Sequence, residues 1–478
     1  MKQNRILIIG FFCVALGVCF SSCQKSILIE GRSSSEGSFW DENLAIQVKK
    51  SVPEETADVV IRTDQKQQQV EGFGGCFNEL GWEELGNLNV DKREMILRDL
   101  FDQEAGCKFN ICRMPIGAND YAVDWYSHNE FIDDLEMKHF SIDRDRQRLV
   151  PYIKAAQKYA PNLKVWASPW CPPSWMKINN HYACSPGAVN DLKPEGAGRE
   201  METQFRMEPA VLDAYALYFS KFVKAYKREG IPIVAVHVQN EPNSCQVFPS
   251  CVWRPEDLAT LIGKYLGPRF EKEGLKTDIF LGTVERPQIE RVSTVLDDPD
   301  AKKYVKGVGF QWAGKGAIPD VQKRYPNMRL IQTETECGNG SNDWDAAEHT
   351  WNLIHHYFNH GANAYMYWNM VLDQTGKSRW GWKQNSMITV DNIKGTITYN
   401  PEFYLMKHMS YFIEPGAAKL GVSGEFDQLL AFENPDQSLV IVIYNKENKA
   451  KKLKIKVDDQ LLVADLKPVS FNTIQVRF

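Results

Sequence analysis

Ile233-Val234-Ala235-Val236-His237-Val238-Gln239-Asn240-Glu241-Pro242 is the stretch that decides the fold. Its first six positions are almost continuously apolar, too short a run for a helix and without the polar alternation of a half-wet sheet, so it reads as a strand buried on both faces. Working outward, similar short runs recur at 109–114, 163–168, 279–282, 308–312, 330–334 and 364–368. Longer amphipathic segments lie between them, at 149–159, 211–228, 255–272 and 345–360. Repeated strand-then-helix units imply a parallel sheet, and about eight of them over roughly 340 residues fit an α/β (β/α)8 barrel with insertions. A doubly wound sheet is the alternative. It normally carries a glycine-rich phosphate turn, and Gly72-Phe73-Gly74-Gly75 lacks that spacing. Those glycines are read as a tight lead into the first barrel strand.

The two ends differ in texture. Residues 44–70 alternate apolar and polar, and so do 429–432, 439–444, 453–457 and 471–478, separated by Asn, Asp, Gly and Lys turns. That pattern predicts a β-sandwich side domain assembled from N- and C-terminal strands. The lysines of 446–456 alternate with Leu453, Ile455 and Val457 and read as one strand's wet face. Ser33, Ser34, Ser35 and Ser38 read as a tether. Ahead of it, Lys2 and Arg5, an apolar run over 6–20, and Ser21-Ser22-Cys23 make a secretory leader. Small residues before a cysteine resemble a bacterial lipoprotein processing site, with ordinary cleavage as the alternative. The expected organisation is a signal peptide over 1–23, tether and first sandwich strands over 24–70, the catalytic barrel over 71–412 and the rest of the sandwich over 413–478. The expected location is outside the cytoplasm, secreted or held at the envelope by a lipid.

A chain of 478 residues exceeds one ordinary core, and 43% hydrophobic with 24% charged residues is a globular composition. A net charge of −5 argues against a nucleic-acid partner bound through its phosphates. Thirteen Trp and 18 Tyr suit a large core and a sugar-binding cleft alike. Without a CxxC pair or an HExxH motif no metal is implied, and no organic cofactor either. Cys245 and Cys251 flank a short loop and are the first candidates for a disulfide, with free buried thiols as the alternative. His355 and His356 read as packing or surface residues of a helix. A monomer is expected.

In a barrel of this kind the active site lies where the strands end, so polar residues closing an apolar run are the candidates. Glu241 closes one run and Glu334 closes Leu330-Ile331-Gln332-Thr333. Two carboxyls at one mouth suit glycoside hydrolysis, in which one protonates the departing oxygen and the other captures the anomeric carbon. The plain alternative is a surface carboxylate, or an acid in the first turn of a helix. It is weaker for Glu241, since the next helix begins only near Pro255.

At these residues the chain resembles glycoside hydrolase family 30, the family of glucosylceramidases, β-1,6-glucanases and some xylanases. The likeness runs through Val70-Glu71-Gly72-Phe73-Gly74-Gly75, Asn110-Ile111-Cys112-Arg113-Met114-Pro115, 167–177 with its Trp170 and Trp175, Asn240-Glu241-Pro242, Thr333-Glu334 and Tyr367-Trp368-Asn369. The resemblance implies a retaining two-step displacement, with Glu241 as acid/base and Glu334 as nucleophile. Thr335-Glu336 repeats the dipeptide, which leaves Glu336 as the alternative nucleophile. It further implies Asp120 and Trp170 for sugar hydroxyls, Asn240 for the 2-hydroxyl, Arg113 behind the nucleophile, Trp312 and Trp368 for ring faces, and Gln311 where glucosylceramidases tend to have His. Ala313 stands where those enzymes carry an aromatic. Thr333-Glu334-Thr335-Glu336-Cys337-Gly338 resembles the β-1,6-glucanase branch, so a β-glucan is the expected substrate. Glucosylceramide, a xylan, and binding without turnover on a degenerate scaffold are the rivals; two retained carboxyls weigh against the last.

Overall fold

The computed structural model describes residues 27–52 and 55–478. The leader and Cys23 lie outside them. Eight strands close into a parallel barrel: β1 (Gly72–Cys76), β2 (Ile111–Ile116), β3 (Lys164–Pro169), β4 (Ile233–His237), β5 (Asp278–Val284), β6 (Val305–Gln311), β7 (Arg329–Glu334) and β8 (Ala362–Asn369), with β8 pairing back onto β1. Both faces of these strands are covered. Ile111, Trp166, Ala235, Phe280, Ile331, Ala364 and Met366 fill the interior, and helices such as Pro209–Arg228 and Trp344–Asn359 pack outside. Such strands have no wet side to mark with polar residues, which is why they read as unbroken apolar runs.

The glycines at 72–75 differ from the sequence reading: they are the first strand itself, not a lead into it. A Cβ on Gly74 would stand 1.8 Å from the Ile111 carbonyl oxygen, so the β1–β2 contact at this point requires glycine. The amphipathic stretch 255–272 is helical throughout, but its middle, Leu261–Leu266, is wound as a π-helix, a change of pitch that hydrophobic spacing does not disclose.

Outside the barrel, ten strands form one hydrogen-bonded sheet, four from before β1 and six from after β8. Its two ends share a core of Val59, Ile61, Leu420, Ile441, Leu453, Ile455, Leu462 and Ile474, so the sheet doubles over on itself as a sandwich. The serines read as a tether belong to it. Ser33 and Ser34 are buried in strand Leu28–Ser35, which pairs along its length with the last strand, Ser470–Arg477. Backbone pairing overrides the polar side chains here. Strands Leu429–Glu433 and Leu439–Asn445 are buried on both sides: Leu429, Ala431, Leu439, Ile441 and Ile443 face the sandwich interior, while Leu430, Phe432, Val440, Val442 and Tyr444 join the barrel's core. His408, on helix Pro401–Ser410, adds a polar tie, with Nδ1 against Thr473 Oγ1 and Nε2 against Ser34 Oγ, both at 2.9 Å.

All eight cysteines of the described residues are free thiols, so the Cys245–Cys251 bridge is absent. Cys245 instead neighbours Cys184, whose backbone N–H donates to the Gln246 carbonyl. Cys251 is buried in the core, whereas Cys245 is only partly buried. His355 and His356 lie on helix Trp344–Asn359; His356 Nε2 meets the Lys315 carbonyl at 2.8 Å.

Candidate active site

The ends of the barrel strands surround a cleft of about 310 Å³ lined by Asp120, Trp170, Asn240, Glu241, Ser244, Gln246, Phe248, Glu285, Arg286, Trp312, Ala313, Glu334, Trp382 and Gln384. That is the size and position of a small-ligand site in this architecture. Among the described residues no cluster of His, Cys, Asp or Glu is arranged to hold a metal ion.

Beneath the cleft lies Arg113, from β2, fully buried. Its Nη1 donates to Glu334 Oε2 at 2.9 Å, to the Thr333 carbonyl at 3.1 Å and to Gln311 Oε1 at 3.3 Å; its Nη2 donates to Asn240 Oδ1 at 2.6 Å and to Ser168 Oγ at 3.0 Å. The Trp166, Trp170 and Trp368 rings lie 5.1, 4.4 and 5.1 Å from the guanidinium carbon, adding cation–π attraction to the charge-assisted bonds. Arg113 thus holds the nucleophile candidate and Asn240 in one planar fork. A lysine, with one point charge, could not satisfy both.

Gln311, closing β6, joins the two acids. Its Nε2 donates to Glu241 Oε1 at 3.0 Å and to Glu334 Oε2 at 3.1 Å, with Asn240 Oδ1 at 3.3 Å; its Oε1 accepts from Thr333 Oγ1 at 2.9 Å, which fixes the amide's orientation. Two oxygens sharing one nitrogen at these lengths are at most about 6.1 Å apart, and ~5.3 Å apart if the two N–H bonds diverge by 120°. Retaining glycosidases hold their carboxyls about 5 to 5.5 Å apart and inverting ones roughly 6.5 to 9.5 Å apart.

The two acids differ in their donors. Glu334 takes Trp312 Nε1 on Oε1 at 3.0 Å in addition to Arg113 and Gln311 on Oε2. Glu241 takes the Gln311 amide, with Ser244 nearby and no guanidinium in contact. Burial pushes both carboxyls above the usual range, Glu334 to about 7 with the Glu241 charge adding to the effect and Arg113 opposing it. Two such groups titrate as a pair that keeps one proton to higher pH than either would alone. The ion pair and the larger donor set stabilise the ionised form of Glu334 more than that of Glu241. Both Glu241 and Trp312 have left-handed backbone, with φ of 45° and 47°, the kind of local strain that collects at functional sites.

Glu336 is elsewhere. It pairs with Lys315 Nζ at 2.6 Å and His349 Nε2 at 3.0 Å, is held below the usual carboxylate range by those partners, and does not line the cleft. Of the expected sugar contacts, Asp120, Trp170, Asn240 and Trp312 line the cleft, while Arg113 and Gln311 lie under it. Asn240 Oδ1 accepts from Arg113 and from Thr283 Oγ1, leaving its Nδ2 hydrogens for the cleft. Asp120 Oδ1 has no partner in the protein, and burial together with the Glu334 charge raises its carboxyl well above the ordinary value. Trp368 is a correction. It is fully buried, stacked on Trp170 at 5.3 Å and against the Arg113 guanidinium, and is not among the residues that line the cleft. The sequence reading missed Glu285 and Arg286, although Glu285 follows the apolar run of β5 just as Glu334 closes β7. It also missed Trp382 and Gln384, from the loop between strands Val371–Asp373 and Ile388–Asp391, which no spacing announces.

The sequence and fold agree with known proteins. A model of the glycosyl hydrolase family 30 TIM-barrel domain matches residues 70–413, and one of that family's β-sandwich domain matches residues 416–474. The chain belongs to glycosyl hydrolase family 30. Among relatives of this family 30 chain, a putative glucosylceramidase 1 of Caenorhabditis elegans is 30% identical over 415 residues, covering 82% of this chain and 76% of that one. The endo-1,6-β-D-glucanase neg1 of Aspergillus fumigatus is 27% identical over 397 residues, 79% of this chain and 78% of its own. The solved structure of the endo-β1,6-glucanase BT3312 superposes with a TM-score of 0.80 at 23% identity, covering 94% of this chain and 98% of that one. The protein is a glycosyl hydrolase of this family, with a β-linked glycan as substrate.

Proposed function

We propose that this glycosidase retains configuration and cleaves β-glucosidic bonds by double displacement, with Glu334 as nucleophile and Glu241 as acid/base. The observation that carries the reading is the single Gln311 amide shared by both carboxyls, which keeps the two oxygens it binds closer together than the inverting spacing and supports the retaining one. Glu334, ionised, attacks the anomeric carbon while Glu241 gives its proton to the departing oxygen. Esterification removes the charge of Glu334, lowers the proton affinity of Glu241, and so equips Glu241 to deprotonate the water that releases the sugar. Asp120, Trp170 and Asn240 grip the sugar from below and beside. The preferred substrate is a β-1,6-glucan: the cleft wall is polar at Ser244, Gln246 and Arg286, and Ala313 leaves no aromatic at its position for an apolar chain to lie on.

Glucosylceramide is the second reading, favoured by the likeness to glucosylceramidases. Reducing-sugar release from pustulan, set beside hydrolysis of glucosylceramide and glucuronoxylan, decides among them. The β-1,6 reading predicts pustulan well ahead, and turnover of glucosylceramide alone overturns it. We further infer export with lipid attachment at Cys23, on the strength of the charged, apolar and small-residue pattern over 1–23. Radiolabelled palmitate incorporated by the full chain and lost in Cys23→Ala is the expected result.

A further inference from the structure

A third carboxyl stands at the strand ends. Glu285 follows β5 directly, lines the cleft and is 1% exposed. Its Oε1 accepts the Asn243 backbone N–H at 2.9 Å and the Ser244 hydroxyl at 3.0 Å. Its Oε2 has no partner in the protein, and the neighbouring Arg286 Nη1 comes no nearer than 3.7 Å, to Oε1. A buried carboxyl oxygen without a donor costs free energy, so such an atom in a native site calls for an external group. Glu285 adjoins the acid/base. Ser244 bridges the two, its hydroxyl donating to Glu285 and its backbone N–H to the Glu241 carbonyl at 3.0 Å, and burial, with the Glu241 charge adding to it, raises the Glu285 carboxyl to about 7.

The side of the cleft matters. Glu241 protonates the oxygen of the bond that breaks, so whatever departs lies on the Glu241 side, away from Glu334. We propose that Glu285 Oε2, flanked by Arg286 and Ser244, is the hydroxyl-binding subsite for the leaving group, and that this leaving group is a sugar. The inference rests on the glycosidase reading above and deepens it. A glycosyl unit carries hydroxyls next to its linkage oxygen and can donate one to Oε2. An aryl group has none to give, and its turnover reports the remainder of the site.

The test uses the full chain and two variants, Glu285→Gln and Glu285→Asp, on 4-nitrophenyl β-glucoside, on the four β-linked glucobioses and on glucosylceramide. Gln keeps the shape and gives up an acceptor; Asp keeps the charge and withdraws it by one methylene. The expected result is a loss of kcat/KM on the best-cleaved glucobiose of roughly 10- to 100-fold in both variants, at least tenfold beyond the loss on the aryl glucoside. The limbs of the Glu285→Asp pH profile should stay in place. Equal losses on both substrates, or a loss in Glu285→Gln alone that follows a shifted alkaline limb, overturn the subsite and make Glu285 a group that only tunes Glu241. Turnover of glucosylceramide with no glucobiose cleaved overturns it too. A wild-type enzyme that prefers a glucobiose other than the β-1,6 one refutes the linkage reading while the ratio still judges Glu285. Thermal unfolding of each variant within a few degrees of wild type excludes misfolding as the cause, and if Glu285→Gln unfolds, Glu285→Asp carries the comparison.

Discussion

Replacing Trp312 by Phe isolates one hydrogen bond in the catalytic pair. The indole Nε1 is one of three N–H donors on Glu334, at 3.0 Å to Oε1, while Arg113 and Gln311 occupy Oε2. Phe keeps an aromatic ring in place and removes that donor together with part of the indole, leaving one oxygen of a buried carboxylate unpaired. A hydrogen bond to a charged group is worth about 1.5 to 3 kcal/mol, and 1.36 kcal/mol corresponds to one pKa unit, so the proton affinity of Glu334 should rise by about one to two units. The sign follows from which form the bond favours. The N–H stabilises the ionised carboxylate, so losing it raises the pKa, and the nucleophile then becomes ionised only at higher pH. The acid limb of kcat/KM for 4-nitrophenyl β-glucoside should therefore move up by about one to two pH units. The alkaline limb, governed by Glu241, should move much less, which narrows the bell and lowers its peak. An acid limb that stays put in a folded variant, or two limbs displaced together by the same amount, refutes the assignment of the charge to Glu334.

Other outcomes follow from the same geometry. Glu334→Gln should cut aryl β-glucoside turnover by at least about 1,000-fold, while Glu336→Gln, outside the cleft, should keep most of it; nitrophenolate release measures both, and the opposite pattern moves the nucleophile to Glu336. Phe432→Ala should cost about 3 to 5 kcal/mol in urea unfolding, since the ring is fully buried between sandwich and barrel. Gly74→Ala should fail to give soluble protein, because the added methyl meets the Ile111 carbonyl, and a normally folded variant would contradict the β1–β2 contact.

Much of this molecule was legible from residues alone, for physical reasons that differ by element. The barrel strands announced themselves because a strand covered on both faces must be apolar throughout, and the acids at 241 and 334 because a charge closing such a strand has few places to go. Glu285 carried the same signal and was passed over, since nothing in the chain pairs it with a partner acid until Ser244 is seen to touch both. Ser33 and Ser34 misled, because a strand held by backbone pairing to Ser470–Arg477 needs no hydrophobic side chains of its own. Trp368 closes an apolar run just as a cleft aromatic would, and only its complete burial against Trp170 distinguishes floor from wall. Trp382 and Gln384 come from a loop, where position is set by packing at a distance rather than by local pattern.

The strands at 429–445, apolar on both sides, have a practical consequence. Family models divide this chain near residue 414, and that seam invites cutting the barrel loose or grafting it onto another accessory module. Severed there, the barrel would bare the patch that Leu430, Phe432, Val440 and Val442 now cover, and the product would be sticky rather than merely less stable. Anyone retuning this enzyme toward a new glycan does better to rebuild the loops at the cleft mouth and leave the weld intact.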